Sequence, residues 1–182
     1  MKTNFIDLNK TLKSVIKLTK AGKYVAFVEN KSGEFVFVLN AQNIDLKIYG
    51  LFHGKKSDDY KVHTVQHHRA PNSTSDLLIR GVFDDQSKFH YTGLVKIEKK
   101  AQKSHAYQKN QNLILSPGVF VESEPFLEIE ANDVFCTHGS TTGKISEDQL
   151  YYLTSRGINK EEAKNLIVQG FLEEVGLIRD NQ

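Results

Sequence analysis

The chain has 182 residues and a formal net charge of +2. That length suits one domain with a sizeable core, or one domain and a small appendage, and so small a charge argues against nucleic acid or a membrane surface as partner. No apolar run approaches the roughly 20 residues of a membrane span, and a single cysteine excludes an internal disulfide framework.

The amino terminus, "MKTNFIDLNKTLKSVIKLTK", has no continuous apolar stretch of signal-peptide type. With the lone cysteine, this leads to the expectation of a cytosolic protein. Residues 1–24 are the first unit. Leu8, Leu12, Val15 and Thr19 recur at helical spacing, whereas "SVIKL" fits a strand; a helix is the expectation.

Residues 25–145 form the second unit, and they read as β structure. "YVAFVE", "EFVFVL", "DLKIYGLF", "YKVHTVQ", "DLLIRGVF", "FHYTGLVKI", "NLILS", "FLEIEA" and "DVFCT" are short, β-rich and often alternating. The connectors, such as "NKSG", "APNSTS" and "DDQS", are turn-like. No segment has the helical pattern of a doubly wound protein. Sandwich, barrel and solenoid all fit. The succession of short flat strands ending in small or polar corners, at about one solenoid coil of roughly 20 residues, favours a β-helix.

Residues 146–182 form the third unit, an α-helical hairpin. Ser146 and Gln149 make a capping box, and Gly157 suits the stop of the first helix. Asn159 and Glu162 repeat the device. Leu150 and Leu153 give the first helix an apolar stripe. Ala163, Leu166, Ile167, Gly170, Phe171 and Val175 share one face of the second.

The stretch "FCTHGSTTGKIS" (135–146) carries the candidate chemistry. It fails as a phosphate loop: Gly139 and Gly143 are one residue too close, and Ile145 stands where a Mg²⁺-binding hydroxyl belongs. On a strand, Cys136 and His138 project from the same face, which is half of a tetrahedral N/S metal site. A neighbouring cationic imidazole would also favour the thiolate. The other reading is a buried cysteine acting as a small hydrophobe. His63, His67 and His68 lack the glutamate of a zinc-protease helix, and on a strand His63 and His67 lie too far apart to share a metal; they read as core or surface histidines. Glu124, Glu128 and Glu130 carry no catalytic pattern, and no local signature marks an enzyme.

"HHRAPNSTSDLLIRGV", "YTGLVKIEKKAQKSHAYQKNQNLILS" and "FLEIEANDVFCTHGSTTGKISEDQLYYLTSRGI" resemble the carboxy-terminal half of the SufB/SufD family, scaffold components of the SUF iron–sulfur cluster assembly machinery. The Cys136-x-His138-Gly139 pattern is of the SufD type, with Gly139 where SufB-type members carry glutamate. The SufB scaffold cysteine falls at or near Asn110, so the chain alone would not be the cysteine-donating scaffold. The resemblance implies a right-handed parallel β-helix with a helical carboxy-terminal segment. It further implies a non-enzymatic subunit that pairs with a SufB-type or identical chain near this motif. A transient cluster would be held at that interface with His138, and Cys136 beside it, as metal ligands only there. The isolated chain is expected to bind no cofactor stably. A SufC-type ATPase would dock on the terminal helices through Leu150, Leu153, Leu166, Ile167, Phe171 and Val175. Family members are considerably longer, so the chain would be a natural minimal version or an excised piece, with Met1 favouring the former. The rival readings are a metal-binding or metal-dependent enzyme using Cys136 and His138, and a partner-binding paralogue with no cluster role.

Overall fold

The computed structural model describes residues 3–180. In chain order the strands are β1 (Thr3–Asp7), β2 (Val15–Leu18), β3 (Gly22–Glu29), β4 (Gly33–Leu39), β5 (Ile44–Gly54), β6 (Asp59–His68), β7 (Thr74–Phe83), β8 (Lys88–Ile97), β9 (His105–Ile114), β10 (Phe120–Ile129) and β11 (Phe135–Lys144). Two helices follow, α1 (Glu147–Ser155) and α2 (Lys160–Asp180). The odd strands make one sheet in the order β1-β3-β5-β7-β9-β11, and the even strands make the other in the order β10-β8-β6-β4-β2. Every pairing is parallel. A chain that alternates between two parallel sheets winds as a solenoid, so the molecule is a parallel β-helix with two terminal helices.

The amino-terminal segment corrects the helical expectation. Residues 3–7 and 15–18 are strands that pair with β3 and β4. Leu8 is fully buried while Leu12 is 101 % exposed, so the four residues at helical spacing share no face. The open edges of β3 and β4 offer a row of backbone partners, and that template outweighs a weak local helical pattern. Residues 1 and 2, also within the helical expectation, lie outside the described residues.

The coil widens along the axis. Thr3 pairs with Lys23, 20 residues on, close to the expected repeat. Thr74 pairs with His105, 31 residues on. Strands grow from 4 residues in β2 to 10 in β9, β10 and β11. The corners are built alike: Asn43, Asn72 and Lys103 stack in register with φ of 60°, 57° and 56°. A left-handed residue turns the chain sharply between strands, and asparagine tolerates that conformation better than most side chains.

The lumen changes character from one end to the other. Its early coils hold Phe37, Leu39, Ile48 and Phe52, and the apolar packing continues through Phe83 and Phe89, whose rings are 4.9 Å apart. Polar inner residues begin in the middle coils, with Thr64, Gln66, His68 and Ser75, and fill β9 below the mouth, where Gln108, Asn110 and Asn112 are buried. A second apolar cluster lies outside the lumen, where Phe27, Leu51, Val82 and Leu113 meet Leu172 and Val175 of α2.

Ser146 and Asn159 cap the helices as their sequence contexts predict. Ser146 Oγ accepts from the Gln149 amide at 3.4 Å, and Asn159 Oδ1 from the Glu162 amide at 2.9 Å. Gly157 has φ +88°, and the Ile158 amide returns to the Leu153 carbonyl, which closes α1 as a Schellman motif.

Candidate functional site

β11 is the outermost described strand of its sheet and is bonded only to β9. The register places Cys136, His138, Ser140 and Thr142 over Ala106, Gln108, Asn110 and Asn112. Those four β9 residues are buried in the lumen, so the four β11 side chains form the inner wall of the last coil, at its open mouth. Cys136 and His138 therefore share a face, as alternation requires. The segment from Gly139 to Lys144, considered above as a phosphate loop, is the second half of this strand.

The two residues meet different surroundings. Cys136 packs against the cluster of Val95, Ile97, Ala101, Ala106 and Ala131. Burial pushes its thiol up to about 11, which corrects the expectation of an activated thiolate: desolvation of the anion outweighs any help from the neighbouring ring. His138 is exposed. Among the described residues no group of three His, Cys, Asp or Glu side chains is placed to hold a metal ion.

The mouth is rimmed by apolar side chains. Leu127 and Ile129 of β10, over the inward Val95 and Ile97, are 36 % and 40 % exposed, while Phe126 and Phe135, 50 % and 61 % exposed, stand on the outer face over Leu94 and His105. Beneath it lies a layer of amides. Asn112 Nδ2 donates to Asn110 Oδ1 at 2.7 Å and to Thr142 Oγ1 at 3.3 Å. Asn110 thus sits inside the lumen, tied to its neighbour. Gly139 faces the other way, and a Cβ there would meet nothing within 4 Å, so packing does not require glycine at that position.

The remaining candidates separate. His68 points into the lumen, 2.7 Å from Ser75 Oγ, and burial lowers it to about 4. His67 points outward to Glu98 at 3.0 Å, and His63 lies on that outer side as well. Glu128 pairs with Lys96 at 2.7 Å, and Glu130 falls beyond β10; Glu124 is exposed.

The helix face differs from the one expected. Ala163, Leu172 and Val175 are buried, with Leu150 of α1. Val168 and Phe171 pack against the outer face of the six-stranded sheet. Leu153 and Ile167 are half-buried. Leu166 and Leu177 are 44 % and 53 % exposed and line a groove with Leu51 and His53. Val175 and Phe171 thus serve this chain's own packing, and Leu166 is left to the surface. Ser140, Thr142, Gln108 and Asn112 escaped the sequence reading, because polar inner residues hide the alternation. The 30-residue step from Phe135 to His105 is the signal that aligns them.

A parallel β-solenoid with a Cys-x-His strand at its open end and two helices laid on its flank is the architecture defined so far. The SufBD core domain of SUF-system FeS cluster assembly matches residues 29–171, and the chain belongs to this family. It is 33 % identical over 137 residues to the iron–sulfur cluster assembly protein SufD of Escherichia coli K12, covering 75 % of this chain and 32 % of that protein. It is 34 % identical over 131 residues to SufD of Bacillus subtilis 168, covering 72 % of this chain and 30 % of that protein. A SufBD family protein of Synechocystis is 31 % identical over 119 residues, or 65 % of this chain and 26 % of that protein. The chain spans about a third of the length of these relatives. No helix among the described residues is long and apolar enough to cross a membrane.

Proposed function

We propose that the chain is a SufD-like scaffold subunit. It pairs through β11 with a SufB-type or identical chain, contributes His138 to a transient iron–sulfur cluster at that junction, and carries a SufC-type ATPase on α1 and α2. The chemistry is assembly and release of a cargo, with no covalent catalysis by this chain.

The observation that carries the reading is the contrast between two outer strands. β2, outermost described strand of its sheet, is 4 residues long, and Lys17 lies within it between exposed Lys13 and Lys20. Short, lysine-bearing edges resist pairing. β11 is 10 residues long and uncharged from Phe135 to Gly143, apart from the titratable His138 and Cys136. A long, uncharged edge with small side chains is a template for another strand. His138 lies within that template and exposed, which suits a ligand shared across a junction; one Cys-x-His strand supplies too few donors for a tetrahedral site. A partner is needed to complete the set.

The test combines the chain with a SufB-type subunit and a SufC-type ATPase, then supplies ferrous iron and sulfide. His138→Ala should lower the yield of bound cluster at unchanged melting temperature. Normal yield in the partnered variant would sink the assignment.

A further inference from the structure

Gln108 lies directly beneath His138 in the register of β9 and β11 and is 1 % exposed. Neighbouring strands stand about 4.8 Å apart, so the amide and the imidazole occupy adjoining levels of one inner column. Leu77 continues the column a coil further down. Toward the mouth the column therefore runs from hydrocarbon to amide to imidazole.

Neither Oε1 nor Nε2 of Gln108 has a hydrogen-bond partner among the described residues. A buried polar group left unpaired costs about 1–3 kcal/mol. Its neighbours Asn110 and Asn112 bond to each other; Gln66, His68 and Ser123 each leave one buried polar atom unpaired, whereas Gln108 leaves both of its amide atoms so. The fold nevertheless makes room for this amide. A Cβ on Gly93, across the lumen, would collide with Gln108 Nε2 and with the Tyr91 hydroxyl. Tyr91 is engaged with Thr64 Oγ1 at 2.8 Å. A glycine opposite an unpaired amide is the arrangement of a side chain kept for something outside its own packing.

We infer that Gln108 is a positioning residue for His138: once a partner covers the mouth, its Oε1 accepts the imidazole N–H and turns the other ring nitrogen outward as the metal ligand. The inference rests on the reading of His138 proposed above. A covered imidazole needs an acceptor for its N–H. Metal-bound histidines as a rule donate their second N–H to such a group, which fixes the tautomer and raises the basicity of the ligating nitrogen. The carboxamide is a buried acceptor one register level below His138, with no competing partner of its own among the described residues.

The experiment uses the chain paired with a SufB-type subunit and loaded with ferrous iron and sulfide. It compares wild type, Gln108→Leu, Gln108→Glu and His138→Ala. Pulsed EPR of the reduced cluster should show histidine nitrogen coupling in wild type and none in His138→Ala. In Gln108→Leu the coupling should change, the reduction potential should rise, and a chelator should strip the iron roughly 10 to 100 times faster. Gln108→Glu, a stronger acceptor, should shift the potential downward. The melting temperature of the unpaired Gln108→Leu chain should hold or rise, because an unsatisfied amide is gone; if leucine disturbs packing, Gln108→Met serves the same comparison. Coupling and potential indifferent to every Gln108 variant would overturn this inference and leave His138 as ligand. No cluster, or a wild-type cluster without histidine nitrogen coupling, would overturn both.

Discussion

The guanidinium of Arg80 lies 5.3 Å from the ring centroid of Phe171 and donates to the carbonyl of that same residue. It also reaches Glu174 one turn on. One side chain of β7 thus holds α2 to the sheet by stacking, a hydrogen bond and an ion pair. Phe171→Asp should therefore loosen α2 and lower stability by about 2–4 kcal/mol. Arg80→Ala should raise hydrogen exchange across 168–178 while the strands stay protected. Unchanged exchange in both variants would show that α2 is held elsewhere.

Leu166 and Leu177 face away from that attachment and remain exposed. Leu166→Asp with Leu177→Asp should leave the melting temperature within about 2 °C, since exposed substitutions rarely matter to stability. If α2 carries the ATPase, the double variant should weaken co-purification with a SufC-type subunit at least tenfold. Retained binding would move the docking surface off this groove.

His68 makes acid stability predictable in sign. Burial lowers its folded-state value to about 4, against an ordinary value near 6.5. The folded state therefore favours the neutral ring. The contribution is fully present above roughly pH 6.5, is lost as pH falls, and is gone below about 4. It amounts to about 3 kcal/mol. Denaturant midpoints measured from pH 7.5 to 4 should fall more steeply in wild type than in His68→Gln. Parallel profiles would show that the ring charges freely in the folded protein.

Cys136 should be slow toward electrophiles. With the thiol pushed up to about 11, iodoacetamide at pH 7.5 should alkylate it at least tenfold more slowly than an unfolded control, because the thiolate is the reacting form. Alkylation at the control rate would mean that the packing around Ala106 and Ala131 opens readily. A partner that covers the mouth should slow the reaction further.

The β-helix was legible where the inner residues are apolar. "EFVFVL" and "DLLIRGVF" alternate, and their inner positions Phe37 and Ile79 are core. It was hidden where the lumen turns polar. "HAYQKNQ" and "HGSTTGK" are strands whose inward residues are glutamine, asparagine, serine and threonine, and hydrophobic periodicity has nothing to report there. The partition of α2 was hidden for another reason. Ala163, Val168, Leu172 and Val175 form the packed stripe, but a helix with apolar residues on more than one side leaves the choice to the sheet beneath it. Cys136 and His138 could be placed on one face from spacing alone. Their contrast in burial depends on Val95 and Ala131, which only the coil brings near.

The amide lining of β9 beneath the open mouth makes the last coil less cohesive than the aromatic coils below it. Each coil of such an array is held mainly by its neighbours, so opening begins where those contacts are poorest. The coils around Phe52, Phe83 and Phe89 act as a fixed frame. The final turn, with unpaired amide and hydroxyl groups at Gln108 and Ser123, can be reshaped by an arriving neighbour at little cost to the rest. An arriving neighbour thus meets the end where His138 stands through the turn that gives up least on being remoulded.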